Sequence, residues 1–535
     1  MRGFETILVL ICASTGLAVL GRRVSIPVPI MLVFGGLVAA LIPGVQVVEI
    51  DPALAFTIFV PPLLFRSAIT TSLRGLRANL RSVTLLAVGL VIATALAVAA
   101  AAHHFFHLGW APAFVLGAIL APPDAVIGIS LARALRLSRR SITIIEGETL
   151  LNDTTAFILY RQAVAATVTG SFSLARAVPQ FVIVGAGGAV VGYLVYRVVR
   201  WTRQHLRDPV LENVVFLLTP FVAYLPAEAL HCSGVLSVVV AGILLRRSSP
   251  LLVSARTRIQ ANLSYDLVEF ILDSLVFVII GTQVGHIFRD PAGPSSSALL
   301  RMTLVMTAVL VVVRFVWIYP GAYLPHFLSK RVRSTEQRPP LAALTLLAWM
   351  GMRGGDSLVT ALAVPETVAS GAPFPGRDLI LAITFTVILS TLILQGLTLG
   401  PLVRFFKVPQ DRSHESEENL ARREMLAAGD ARLLALEREG IPKQVVDRVR
   451  RRYVARSTFE LTLAQGGDGA GHRESLQDKH AEEELLRARR RAVVRLRDEQ
   501  VIDDEVLRHL EEELDLEEMR LALTLADNAR TTREG

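Results

Sequence analysis

Long apolar runs follow one another through the first three quarters of the chain, and the last quarter carries only a thin apolar stripe among charges. The runs fall at 4–20, 26–43, 53–69, 82–106, 112–133, 141–168, 177–199, 211–231, 234–246, 263–287, 299–325, 340–364 and 378–405. Most are near the ~20 residues that a helix needs to cross ~30 Å of hydrocarbon. The pattern predicts about thirteen transmembrane helices, and so an all-α polytopic membrane protein. The first run ends in Gly21, Arg22 and Arg23 with no small-residue cleavage site, so it reads as a retained helix.

Basic residues test that count, because Lys and Arg gather on the cytoplasmic side. Arg22 and Arg23, the group Arg74, Arg77 and Arg81, the group Arg133 to Arg140, and later clusters up to Arg404 and Lys407 all follow odd-numbered spans. The even loops hold few, chiefly Arg176, Arg289 and Arg377. A bias of roughly 23 to 5 predicts an N-terminus outside and a cytoplasmic C-terminus, and the expected location is the plasma (inner) membrane.

Composition agrees: 52% of the 535 residues are hydrophobic and 19% charged. Cys12 and Cys232 are the two cysteines, which excludes a disulfide scaffold. The net charge of +8 would suggest nucleic acid in a soluble protein, but its distribution does not. Roughly 32 basic and 18 acidic residues precede Pro409, against roughly 23 and 29 after it. Two domains are expected, a membrane domain 1–408 and a cytoplasmic charged helical tail 409–535, with no nucleic-acid partner. The tail reads as helices over 416–439, 442–464 and 474–526. Leu485, Val493, Leu496, Val506, Leu510 and Leu514 recur there at helical spacing, as in a segment that self-associates or binds a regulator.

Chemistry is expected where the membrane domain breaks membrane rules, because an ionised side chain in hydrocarbon costs several kcal/mol unless paired or wet. Asp124 sits mid-span behind Pro122 and Pro123, which remove amide donors and open the helix ladder. The next span carries Glu146-Gly-Glu148-Thr149-Leu-Leu-Asn152-Asp153. Thr149 with Asp153, and Glu148 with Asn152, are spaced i, i+4, so hydroxyl, amide and carboxylate share a face. Oxygen ligands suit a hard monovalent cation, and a desolvated carboxylate also holds a proton more readily. The twelfth span is broken by Gly351-Met-Arg353-Gly354-Gly355-Asp356. Arg353 needs a buried acid; Glu148 is the candidate, with Asp356 at i+3 as a local competitor. With spans 1–6 and 8–13 as inverted halves, the Pro-broken and Gly-broken helices are each fifth in their half. Matched interruptions of that kind point to a transporter site near the midplane.

These residues resemble the sodium/proton exchanger branch of the monovalent cation/proton antiporters. Residues 146–153 look like the family's Glu-Gly-Glu-Ser-Leu-x-Asn-Asp signature, and Gly351-Met-Arg353-Gly354 is similar to its Gly-x-Arg-Gly. Phe59-Val-Pro-Pro-Leu-Leu-Phe65 and the stretch from Leu267-Val-Glu269-Phe to Gly281-Thr-Gln283 add weaker support. The resemblance implies two inverted repeats with broken helices 5 and 12, a homodimer in the lipid bilayer, and no cofactor or metal beyond the transported ion. It implies exchange of sodium, or of potassium or lithium, for protons in pH and cation homeostasis. Asp153 would bind cation and proton in turn, with Asp124, Asn152 and Thr149 around it, and Glu148 with Arg353 would be a structural ion pair. Asn before the Asp implies electroneutral exchange. Three positions depart from the family: Pro123 and Ala125 flank Asp124 where Thr and Pro are usual, Arg66 follows Phe65 where an acid is common, and Asp356 is an extra acid. Asp356 and Arg66 are therefore possible modifiers of the site. A cation channel using the same carboxylates and a potassium/proton antiporter are the alternatives; an intramembrane aspartyl protease is disfavoured, because Arg353 precedes Gly354-Gly355-Asp356 where its Gly-x-Gly-Asp element needs Gly.

Overall fold

The structure is a computed structural model and describes residues 2–24, 28–41, 52–71, 73–124, 139–170, 174–206, 208–252, 255–287, 295–328, 330 and 340–406, with a few isolated positions between 431 and 517. Met1–Gln410 and Asp411–Gly535 form separate units. The tail helices expected over 416–439, 442–464 and 474–526 lie almost wholly outside the described residues.

The described part of the first unit is helical. In chain order the helices are α1 (Arg2–Val24), α2 (Val28–Leu41), α3 (Pro52–Thr70), the short α4 (Leu73–Ala78), α5 (Leu80–Phe106) and α6 (Trp110–Leu120). Then come α7 (Arg139–Thr169), α8 (Leu174–His205), α9 (Pro209–Ala229), α10 (Gly234–Leu252), α11 (Ala255–Ile287) and α12 (Ser296–Leu328). The broken pair α13 (Leu341–Trp349) and α14 (Gly355–Leu362) precede α15 (Arg377–Phe406). Helices occupy the positions of the apolar runs, and five spans, from α5, α8, α9, α12 and α15, are long and apolar enough to cross a membrane by length and composition.

Local signals set several boundaries. The Asp208 carboxylate accepts from the amides of Val210 and Leu211 at 2.7 and 3.3 Å, and Pro209 takes the first helical position of α9, where its missing donor costs nothing. One turn of α5, Leu85–Leu90, widens into a π-helix, and Trp317 of α12 donates to the Leu85 carbonyl at 3.1 Å. In lipid no water can replace such a partner, so a loosened turn needs a side chain from a neighbour.

The helices sort into two bundles. A scaffold of α1, α2, α3, α8, α9, α10 and α11 closes on one apolar cluster, within which the rings of Phe65, Phe216 and Tyr265 meet at 5.3–5.6 Å. A core of α5, α6, α7, α12, α13, α14 and α15 packs on two others. Hydroxyl pairs tie α12 to α15, Thr303 to Thr386 at 2.7 Å and Thr307 to Ser390 at 3.1 Å. Phe157 of α7, Leu358 and Val359 of α14 and Phe385 of α15 join the scaffold's cluster and so mark the seam between the bundles.

Candidate functional site

The site begins with two interrupted backbones that complete each other. Pro123 has no N–H, which leaves the Ile119 carbonyl open, and the Ser357 hydroxyl donates to it at 2.8 Å. The Asp124 amide turns away to the Met352 carbonyl at 2.8 Å, which frees the Leu120 carbonyl. Arg353 Nε takes that carbonyl at 2.6 Å, and Arg353 Nη1 takes Gly351 O, also at 2.6 Å. The Asn152 amide of α7 donates to Pro123 O at 3.1 Å. In return the Asp124 carboxylate accepts the Gly355 amide at the start of α14, at 3.2 Å, where the helix dipole favours an anion. Gly354 is required at the crossing: a Cβ there would stand 1.8 Å from Asp124 Oδ2.

Around this crossing the carboxylates converge. Asp153 is 2% exposed and within electrostatic range of Asp356 and Asp124. Its Oδ1 and the Oδ1 of the fully buried Asn152 have no hydrogen-bond partner. The hydroxyl of the next residue, Thr154, is unpartnered as well, whereas buried oxygens are paired in the great majority of cases. Thr149 points its hydroxyl back to Ile145 O at 3.0 Å, which leaves the oxygen's lone pairs but not its proton for a guest. Asp153 and Phe157 are i, i+4, and Asp356 and Val359 are i, i+3, so both acids lie on faces turned to the seam.

Glu148 has a different partner from the one expected. It binds Arg314 of α12 through both oxygens, at 2.5 and 3.0 Å, with the two residues 1% and 4% exposed. The Arg314 guanidinium also reaches Leu347 O, and Gly351 gives it room, since a Cβ there would lie 2.5 Å from Arg314 Cδ. Arg353, expected to hold Glu148, spends its side-chain hydrogen bonds on backbone carbonyls instead. The freed carbonyls of the broken α6 are stronger claimants because nothing else can satisfy them. Arg66 does not stand alone at the membrane edge: it pairs with Asp266 and Glu269 of α11.

Two residues were missed. Arg314 was visible as the single charge inside Val311-Val-Val-Arg314-Phe-Val-Trp317. Asp273 follows Asp266 and Glu269 on one face of α11 at i, i+3, i+7, and lies within electrostatic range of Asp124, Glu269 and Asp356. The next turn carries Val276, which stands 3.0 Å from where a Gly355 Cβ would be. The scaffold thus presents a carboxylate to the core's acids. The segment after Asp124, residues 125–138, lies outside the described residues. The histidines 103, 104 and 107 serve structure: His103 bonds Leu108 O at 2.7 Å and stacks on Trp110, and His107 closes α5 in the left-handed conformation.

A protein-family profile described as "Sodium/hydrogen exchanger, transmembrane" matches residues 7–405. The chain belongs to this family. An uncharacterised Na+/H+ exchanger of Mycobacterium tuberculosis is 35% identical over 529 residues, 97% of this chain and 96% of that protein. The sodium, potassium, lithium and rubidium/H+ antiporter of Bacillus subtilis is 34% identical over 390 residues, 70% of this chain and 57% of its own length. In fold, the sodium proton antiporter MjNhaP1 of Methanocaldococcus jannaschii matches with a TM-score of 0.57 at 18% identity, covering 75% of this chain and 98% of that one. The chain is thus a membrane transporter of the exchanger family.

Two outcomes follow from the geometry. Glu148→Gln or Arg314→Gln strands one buried charge and should each cost about 3–5 kcal/mol. A double-mutant cycle on melting in detergent should give a larger coupling for 148 with 314 than for 148 with 353; equal couplings would sink the assignment. Gly354→Ala should abolish ion exchange while the protein still elutes as a monodisperse peak, because its Cβ displaces Asp124 and leaves the Glu148–Arg314 pair in place.

Proposed function

We propose that the protein exchanges a monovalent cation, sodium in the first instance, for protons by alternating access, with Asp153 as the carboxylate that both ions share. The observation that carries this reading is the orphaned pair of buried oxygens, Asp153 Oδ1 and Asn152 Oδ1, beside Asp124. A partly dehydrated alkali cation supplies what those oxygens lack, and a proton on Asp153 removes the same charge by other means. Asp124, Asn152 and Thr149 complete the cation's oxygen shell. Either loaded form lets the core slide on the scaffold; the empty, charged form is held back by the cost of carrying an unpaired carboxylate through a dry seam. Asp273 and Asp356 deepen the negative field on the cation's path, and Arg353 supplies a fixed positive charge against them. Arg66, held by Asp266 and Glu269, tempers that field toward the arginine-rich face.

In this reading thirteen helices form two inverted repeats, and a homodimer sits in the plasma membrane. The N-terminus is outside and the 409–535 tail is in the cytoplasm for self-association or regulation. Exchange is electroneutral, one cation per proton, and serves pH and cation homeostasis. Potassium/proton exchange is the second reading, favoured by the Bacillus subtilis relative, whose name includes sodium, potassium, lithium and rubidium.

Proteoliposomes with an imposed proton gradient and a pH-sensitive dye test this directly. Sodium should dissipate the gradient, the Asp153→Asn variant should not respond, and potassium and lithium added in turn rank the substrates. Silence with every alkali cation from pH 6 to 9 would remove the basis of the reading. Because both ions compete for one carboxylate, a tenfold rise in proton concentration should raise the apparent KM for sodium by up to tenfold without lowering the maximal rate. Asp273→Asn should raise the apparent KM for sodium severalfold while exchange persists, measured in the same assay; an unchanged KM would place Asp273 outside the route.

A further inference from the structure

One cavity is not used by the site just described. It holds about 350 Å³ and lies at the seam, lined on the core side by Phe157, Arg161 and Gln162 of α7 and on the scaffold side by Glu228, Ser233 and Val235. Asp153, Phe157 and Arg161 follow each other at i, i+4 and i+8, so the cavity, the ring of Phe157 and the Asp153 carboxylate lie in line along one face of α7. Phe157 is 5% exposed and packs in the scaffold's cluster with Val235, which places an apolar plug between cavity and carboxylate.

Across the cavity, Arg161 pairs with Glu228. The two ends of this pair belong to different bundles. Glu228 is fixed to the scaffold, since its Oε1 also accepts the Gly234 amide at 3.0 Å, at the start of α10, where Ser233 Oγ accepts from Leu236 N at 3.2 Å. Arg161 rides on α7, two turns from Asp153. A pair of side chains that spans a sliding seam fits one relative position of the bundles and parts in the other. It is also partly open to water, with side-chain exposures of 45% and 25%, so it is weak enough to be remade in each cycle. The Arg66 pairs differ in kind: Arg66, Asp266 and Glu269 all lie on scaffold helices, so core movement leaves them intact.

We propose that the cavity is the outer vestibule of the ion route and that Arg161 and Glu228 are its latch, which in opening leaves the Glu228 carboxylate facing the alkali cation that arrives from that side. This rests on the exchange reading for the moving bundles and on the basic loops for the sidedness: the α9–α10 turn and the end of α7 lie on the face opposite those loops. The cation recognised is hydrated at this stage and meets one carboxylate among the amide of Gln162 and the hydroxyl of Ser233. Its dehydration waits for Asp153, beyond Phe157.

A chain with Cys12→Ser, Cys232→Ser and Val235→Cys reports on the latch, because Val235 is 4% exposed and sits at the seam beneath it. Intact cells receive a membrane-impermeant cationic thiol reagent. The rate of modification should be slow with the pair intact, rise severalfold with Arg161→Gln or Glu228→Gln, stay slow with Arg161→Lys, and fall back when Arg161→Glu is combined with Glu228→Arg. Equal rates in all five proteins, or faster modification from the cytoplasmic side in inverted vesicles, would overturn the proposal. Labelling needs no turnover, so a protein that exchanges no sodium still reports on the latch, and the failure of one reading is told apart from the failure of the other. Size-exclusion profiles of each variant show whether a raised rate reflects opening or unfolding.

Discussion

A backbone that leaves its helix inside a membrane must find every partner within the protein. Here two such departures, after Leu120 and between Trp349 and Gly355, are placed across each other so that each answers the other's open groups. The Asp124 amide, one oxygen of its carboxylate, the Ser357 hydroxyl and the Arg353 guanidinium are engaged in that exchange. The consequence is a rigid polar knot whose geometry cannot drift, because any shift of one segment orphans carbonyls on the other at several kcal/mol each. The knot positions Asp124 and presents α7's acid beside it.

The charges divide between structure and transport on the same logic. Glu148 and Arg314 satisfy each other through both carboxylate oxygens, and that pair is closed to exchange. Arg353 is tied to carbonyls, so it contributes a field without a partner that could compete for the cation. Asp153 Oδ1 and Asn152 Oδ1 stay unpaired, as do the adjacent Thr154 hydroxyl and, elsewhere in the core, Tyr160 OH and Gln395 Oε1. In the proposed exchange the ion site is built from oxygens that the surrounding hydrogen bonds leave over. Asp153 owes its availability to its neighbours' engagements more than to any special chemistry of its own.

Much of this was legible in the chain. Apolar runs of helical length give the elements, because hydrocarbon thickness imposes one length on all of them. Pro122-Pro123 and Gly351 to Gly355 announce the two breaks, since few other residues can end a helix there. The acids of α7 declare themselves by violating the apolar rule. Partner choice was not legible. Glu148 and Arg314 are 166 residues apart, and nothing in spacing tells one buried arginine from another when Arg353 also needs relief. What separates them is the demand of the opened α6 carbonyls, which appears only when the two breaks are seen to cross. Asp273 was hidden for another reason: on a helix that already carries Asp266 and Glu269 near one end, a third acid reads as part of a solvated face, and only the fold turns it toward Asp124.

The seam between core and scaffold imposes a last constraint. Carboxylates of the core, Asp153 and Asp356, face it from one side and Asp273 from the other, so the sliding of the proposed exchange would change which acids stand opposite each other. Apolar side chains at the seam, Phe157 of the core and Val235 of the scaffold among them, would lose and regain burial in such a movement, and because the hydrophobic effect is non-directional they offer many registers of similar energy. Directional pairs do not. A seam greased by apolar side chains and marked by the Arg161–Glu228 pair would therefore favour the register in which that pair meets. In the proposed exchange that preference would couple the two ions: an ion released on one face would have to be replaced before the seam could return.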